Sequence, residues 1–406
     1  MSYRFVKISI YYKDLLKYYY ARNKDILNET YAKQFNHFMN QGFGWSDYFQ
    51  RYLTKLGVEA HEIVLNSEPL QKTWAKEHNL EYDKNILISQ LKAIKPDVIL
   101  VHDFNALAPS YIQLIKDEIP GIKKIIGYCC SPFSLQQIDV FKNYDFVLTC
   151  SPLFTRILSE KGIKSYYFPH AFEASLVPKI KQPNNFNFTD FIFIGSFIKG
   201  ADFHDLRIKV IEQLIEENID LTIYSNITTE SEASLLLRQI DYLLARTIKN
   251  AGLNKIGQKI PVIRKALQLN EMPGKNKFSK KFLEKVNRTQ LFGLDMLQAI
   301  SKAKIGFNIH GGIASDYAAN IRMFEVTGAG SLLLTDYKRN IRDFFEPDYE
   351  IVTYATAAEC IDKTKWLLNN PEKIKEIADA GHQRCIREHN IQNRVALLNE
   401  IILKNL

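Results

Sequence analysis

The sequence predicts an α/β protein built from two parallel-sheet domains in series, and three observations carry that prediction. Short apolar runs rich in Val, Ile and Phe alternate with segments of helical period, an order that needs crossover connections and therefore parallel strands. At 406 residues the chain exceeds one ordinary core and fits two domains of common size. The alternation pauses once, at KIKQPNNFNFTD (179–190), where Pro, Asn and Lys replace any apolar period and mark a linker.

In the first half the predicted strands are RFVKISIYY (4–12), HEIVLN (61–66), DVILVHD (97–103), KKIIGY (123–128), DFVLTC (145–150) and KSYYFPH (164–170). Helical segments separate them, as in SDYFQRYLTKLG (46–57), where Phe49, Leu53 and Leu56 share a face that ends at Gly57. After the pause come the strand DFIFIGSF (190–197), the helix DLRIKVIEQLIEENI (205–219) and the strand DLTIYS (220–225). The strands KIGFNIH (304–310), SLLLTD (331–336) and YEIVTY (349–354) follow. Between them, about 228–290 reads as a helical insertion belonging to neither sheet, with Leu236, Ile240, Leu243, Leu244 and Ile248 on one broad stripe. The last forty residues hold no strand signal and read as consecutive helices. The expected division is 1–182 for the first domain, 183–385 for the second and 386–406 for a closing helix, which in two-lobed enzymes of this kind often packs back on the first lobe.

Hydrophobic content of 46% and charged content of 24% are those of a soluble globular chain. Five cysteines, without a CxxC pair, read as reduced thiols and point to a cytoplasmic protein. The opening MSYRFVKISIYYKDLLKYYY meets Lys13 and Asp14 before a long apolar run forms, which argues against a signal peptide or a spanning helix. The net charge of +8 is local: between Arg246 and Arg288 stand twelve Lys or Arg against two acids. No zinc-finger, homeodomain or RNP pattern accompanies it, so nucleic acid is not the expected partner. A solvated basic face accounts for this segment, and the sharper expectation is peripheral contact with anionic lipid at the inner membrane face, or with an acidic acceptor.

In open parallel sheets, ligands sit beyond the carboxyl ends of the strands. That rule selects QGFGWSD (41–47), HDFNALAP (102–109) and CCSPFS (129–134) in the first half, and GSFIKGADFH (195–204) and HGGIASDYAANIR (310–322) in the second. Neither glycine loop of the second half is GxGxxG or GxxxxGK[ST], which argues against a dinucleotide dehydrogenase and a P-loop NTPase.

The run from Phe292 to Arg394 resembles the catalytic domain of group-1 glycosyltransferases of the spore-maturation type, through FGLDMLQAISKAKIGFNIH (292–310), NIRMFEVTGAGSLLLTD (320–336), FFEPDYEIVTYAT (344–356) and GHQRCIREHN (381–390). FIFIGSF and YYFPHAFE (166–173) extend the likeness more weakly. The resemblance implies a GT-B architecture of two facing Rossmann-like lobes, with a nucleotide-diphosphate sugar held by the second lobe and its sugar passed to a saccharide, lipid-linked or protein acceptor, as in cell-surface glycan biosynthesis. The alternative is a non-catalytic nucleotide-sugar-binding or scaffold subunit.

The residue chemistry agrees. Arg322 suits a bidentate phosphate contact and Glu325 suits the two ribose hydroxyls, and a spacing of three puts both on one helical face. The same pair is also an ordinary surface ion pair worth about 0.2–0.5 kcal/mol. Gly311 and Gly312 allow close approach to phosphates, Gly328 and Gly330 are expected to end the helix, Asn320 is a contact or a cap, and His310 ends a strand at the ligand edge. Gly195, Ser196 and Lys199 are the expected second diphosphate contact, with Arg207 as alternative. On the acceptor side, His102, Asp103 and Asp47 are candidates for the general base. No metal or other cofactor is expected, since no Asp-x-Asp stands at a strand end and GT-B enzymes generally stabilise the leaving diphosphate with cations and helix N-termini. Many retaining relatives carry a glutamate eight positions before the equivalent of Glu325; here that position is Tyr317, which leaves both stereochemical outcomes open.

Overall fold

The computed structural model describes residues 3–134, 137–197, 202–225, 227, 232–253, 257–258, 260–267, 269, 272–273, 278–287, 289–310, 312 and 314–406. Two six-stranded sheets account for the alternation. The first contains β1 (Arg4–Ser9), β2 (Glu59–Val64), β3 (Val98–Val101), β4 (Lys124–Cys129), β5 (Phe146–Thr149) and β6 (Ser165–Tyr167), in the order β2-β1-β3-β4-β5-β6. The second contains β7 (Thr189–Ile194), β8 (Leu221–Tyr224), β9 (Val286–Asn287), β10 (Ala303–Asn308), β11 (Leu332–Asp336) and β12 (Val352–Tyr354), in the order β12-β11-β10-β7-β8-β9. Every described strand pair is parallel. Each order reverses once, between β1 and β3 in the first lobe and between β7 and β10 in the second, and these reversals are where a parallel sheet opens a crevice at its carboxyl ends.

The central strands are buried on both faces, as parallel sheets require, and this is why DVILVHD and SLLLTD read as continuous apolar runs. β1 carries an exception at its centre. Lys7 and Glu62 of β2 are both fully buried and pair at 3.1 Å, Lys7 also donating to the Ser46 carbonyl at 2.6 Å and Ser9 donating to Glu62 at 2.5 Å.

Two sequence expectations are corrected. The insertion does belong to a sheet, because Val286 and Asn287 pair with Ile223 and Tyr224 as an edge strand. Gly328 lies inside the helix Arg322–Ala329 rather than ending it; a Cβ there would stand 2.3 Å from the Phe172 ring. Gly330 alone ends the helix, in the left-handed conformation at φ +89°. In the helix Glu232–Asn250, Leu236, Leu237, Ile240, Leu243 and Leu244 are exposed, so the apolar stripe faces outward. No helix among the described residues is long and apolar enough to cross a membrane.

The lobes share one apolar core. Phe172, from the segment leaving β6, exchanges backbone hydrogen bonds with His389 and Ile391 and packs on Gly328. The final helix Ile391–Asn405 lies against the first lobe, with Tyr3 donating to Asn399 at 2.8 Å and Arg394 donating to the Pro169 carbonyl at 3.1 Å.

Candidate functional site

The second lobe's crevice is floored by cations. Arg207 rises from the helix Asp202–Glu216 and spans the reversal point, donating to the Ser196 carbonyl beyond β7 at 2.9 Å and to the Ile309 carbonyl beyond β10 at 3.0 Å. Its guanidinium is buried, lies 5.6 Å from the Phe193 ring centre, and is pushed down to about 10 by burial, with Arg322 adding to the fall and Asp336 opposing it. The helical period places Arg207 in line with buried Val210, Ile211 and Leu214, and that alignment was the signal in the sequence that it points inward.

Arg322 and Glu325 sit together in the first turn of the helix Arg322–Ala329, with Nη1 to Oε2 at 2.8 Å and side chains only 17% and 12% exposed. Arg322 is thereby oriented, and a carboxylate in a helix's first turn also complements its dipole. Asn320 acts as a brace: its Oδ1 accepts from the Arg322 backbone N–H at 2.9 Å, and its Nδ2 donates at 2.9 Å to Asn308 at the end of β10. Asn308 in turn donates to Thr335 on β11 at 3.1 Å. This chain ties the helix entrance to two strand ends, and Asn308 was not singled out in the sequence because an Asn at a strand end has no distinctive spacing.

His310 is buried, and neither ring nitrogen has a hydrogen-bond partner among the described residues. Its backbone N–H donates to Asp336 at 2.6 Å, and Asp336 also meets Lys338 at 3.4 Å. Burial pushes the imidazole down to about 4; Asp336 opposes that shift, and Lys338 and Arg207 add to it. A buried unpaired imidazole at a strand end is one that a polar ligand would satisfy. Because the folded-state value lies below the unfolded value near 6.5, the unfolded chain binds the extra proton. The stability from neutral His310 is therefore present above pH ~6.5 and is lost as pH falls towards 4. Between pH 6.5 and 5 wild type loses about 2 kcal/mol more than His310→Gln. Urea unfolding at the two pH values measures this, and equal losses would overturn it.

The other candidates fall as follows. Gly312 is exposed, while Gly311 and Lys199 lie outside the described residues. At Gly195 an added Cβ would meet the Phe193 ring at 2.8 Å, so packing inside the lobe accounts for that glycine. Ser196 offers its carbonyl to Arg207.

On the first lobe, His102 and Asp103 follow β3 at its reversal point. The His102 ring stacks on Tyr128 at 5.4 Å and meets Trp45 edge-on at 6.1 Å. Burial, then the charges of Lys7 and His170, push its imidazole well below the usual histidine range, so it is neutral at pH 7. Asp103 accepts from the Asn105 N–H at 2.9 Å. Asp47 is placed differently: its carboxylate accepts from both Nε and Nη2 of Arg51, at 2.9 and 2.6 Å, and its charge acts on the buried Lys7 and Glu62.

Tyr12, beyond β1 and 70% exposed, brings the lobes together. Desolvation by the protein around its ring raises its phenol first, Cys130, Asp103 and Glu325 raise it further, and Arg322 lowers it. One side chain thus senses acceptor-side and donor-side residues at once. A separate cavity of about 660 Å³, lined by Arg4, Tyr31, His61, Trp74 and His78 among others, lies by the amino end of β1, away from this crevice.

Residues 261–400 match a family model described as glycosyl transferase-like. No curated protein matches the sequence. Among solved structures, the sucrose-phosphate synthase of Thermosynechococcus elongatus is 10% identical with a TM-score of 0.54, covering 99% of this chain and 98% of that one. The glycosyltransferase of Rickettsia africae is 9% identical with a TM-score of 0.56, covering 100% and 98%. Anabaena HepE, solved in complex with UDP-glucose, is 10% identical with a TM-score of 0.56, covering 99% and 100%. The fold is GT-B, two Rossmann-like lobes facing each other.

Proposed function

We propose that the chain is a glycosyltransferase that takes a sugar from a nucleotide-diphosphate donor. The observation that carries this reading is the convergence of Arg207, His310 and the Arg322–Glu325 pair at the β7/β10 reversal point of a GT-B fold. In this reading Glu325 accepts the ribose hydroxyls, and Arg207 and Arg322 stabilise charge as the diphosphate leaves, aided by the amino end of the helix Arg322–Ala329. His102 and Asp103, which follow β3 at the first lobe's reversal point, are the proposed groups to take the acceptor proton. Asp47, committed to Arg51, contributes to positioning. UDP is the first donor nucleotide to test, since Anabaena HepE was solved with UDP-glucose. A saccharide, lipid-linked or protein hydroxyl in surface-glycan synthesis is the acceptor class.

The deciding experiment screens UDP, GDP, CDP and dTDP by thermal shift, then assays the matching nucleotide sugars with EDTA present. One nucleotide raises the melting temperature by several degrees, because a ligand bound only by the folded state stabilises it, and its sugar is turned over in EDTA. Loss of turnover in EDTA with rescue by Mn²⁺ would remove the metal-independent mechanism. Binding without any turnover would support the second reading, a nucleotide-sugar-binding subunit, for which Tyr317 at the place of a relative's carboxylate speaks.

The exposed leucine stripe of Glu232–Asn250, beside a segment with a local positive surplus, favours a peripheral seat on an anionic bilayer. Wild type sediments with phosphatidylserine-containing vesicles at low salt, and Leu236→Glu/Leu243→Glu does not; equal binding by the two would reject this seat.

A further inference from the structure

We propose that Cys130, Cys150 and His170 form a binding site for a thiophilic divalent cation, zinc by its donor chemistry, at the crevice edge of the first lobe. The three residues come from three neighbouring strand ends. Cys129 and Thr149 are paired in the β4/β5 register and Thr149 and Tyr167 in the β5/β6 register, so Cys130 and Cys150 stand opposite each other and His170 follows three residues beyond β6. Placement on strand ends of one sheet holds the set in advance of any ligand.

The distances fit. One ligand atom from each residue lies within 4.8 Å of the other two, and Cys130 Sγ is 2.7 Å from His170 Nε2. Zn–S near 2.3 Å and Zn–N near 2.0–2.1 Å in a tetrahedron separate ligand atoms by roughly 3.6–3.8 Å, so side-chain adjustments of about an ångström admit the ion. The shell around the ligands also has the expected form. His170 Nδ1 faces the Tyr128 hydroxyl at 3.5 Å, which directs Nε2 at the thiols, and the ring packs on Trp45 at 5.7 Å. Two sulfurs and one imidazole select zinc over magnesium or calcium. Cys150 and His170 are buried and Cys130 is half-buried, so the set opens on the Cys130 side, the side of Tyr12.

Three protein ligands leave a fourth tetrahedral position, the pattern of zinc sites that keep an exchangeable ligand rather than of closed structural sites. That position takes a water molecule, and the ion is not required for transfer. The ion takes no part in holding the donor diphosphate, which belongs to the second lobe. Both thiols must be deprotonated to bind, so uptake releases protons.

The test is metal content and cobalt substitution, neither of which depends on turnover. Full-length protein purified under reduction with zinc and dialysed against metal-free buffer retains about one zinc per chain, and Co²⁺ added to the apoprotein produces a thiolate-to-cobalt charge-transfer band. Cys150→Ser and His170→Gln lose the stoichiometric zinc, whereas Cys385→Ser, buried elsewhere, keeps it. Tyr128→Phe, which removes the Nδ1 partner and a hydroxyl beside Cys130, weakens zinc binding about 10-fold. Folded wild type with neither stoichiometric zinc nor the cobalt band would overturn the proposal whatever the variants do. A Cys130–Cys150 disulfide that forms in air, together with no cobalt band in freshly reduced protein, would overturn it in favour of a thiol redox pair.

Discussion

Replacing Glu325 by alanine lowers kcat/KM for the nucleotide-sugar donor by about 10²–10⁴-fold while leaving the fold intact. The magnitude follows from the two charge-assisted hydrogen bonds to a ribose that the carboxylate is proposed to accept, each worth about 1.5–3 kcal/mol. The fold survives because Glu325 sits at the crevice rather than in either sheet's core, although Arg322 loses a partner and some stability goes with it. Donor affinity measured by nucleotide titration falls with turnover, since the ribose is bound before and during transfer. Glu325→Gln recovers part of the loss, keeping one acceptor and the shape. A Glu325→Ala variant with full turnover and full nucleotide affinity would sink this assignment.

The largest loss of stability is expected from Lys7→Met. It leaves the Glu62 carboxylate fully buried, with only the Ser9 hydroxyl to solvate it, and breaking one side of a buried pair costs about 3–5 kcal/mol. Burial already pushes the Glu62 carboxyl up to about 7 against the pull of Lys7. In the variant the penalty is therefore greatest above that range and shrinks as pH falls and Glu62 takes a proton. Lys7→Met/Glu62→Leu recovers most of the stability, as apolar replacements of buried pairs do. Denaturant midpoints for the two variants and wild type check this. Unchanged stability in the single variant would show that water reaches Glu62.

The fold was legible in the sequence because parallel sheets buried on both faces write themselves as apolar runs, and eleven of the twelve strands were placed from such runs. The twelfth, Val286–Asn287, has two residues and sits among lysines, so no local pattern marks it. The Arg322–Glu325 pair was legible for a different reason: helical spacing alone puts the two side chains together. Contacts made across the fold were not. Nothing in the letters joins His310 to Asp336, which meet only when β10 and β11 pair, or Asn320 to Asn308, which meet only when the loop after β10 folds back on its end. The Arg51 partner of Asp47 lies one helical turn on, a contact that the glycine turn before Asp47 does not announce. The Cys130, Cys150 and His170 cluster escaped notice because metal spacing rules describe ligands close in sequence, and these are assembled by strand register.

The contact between Gly328 and Phe172 has a mechanical consequence. No side chain larger than hydrogen fits at 328 without displacing the aromatic ring, and the chain crosses between lobes beside it, outward after Phe172 and back at Asn390. The contact therefore pins the lobes together where the chain passes between them, as a rivet holds two plates. A larger side chain at 328 would have to push Phe172 away, so the residue at this position sets how closely the two lobes approach.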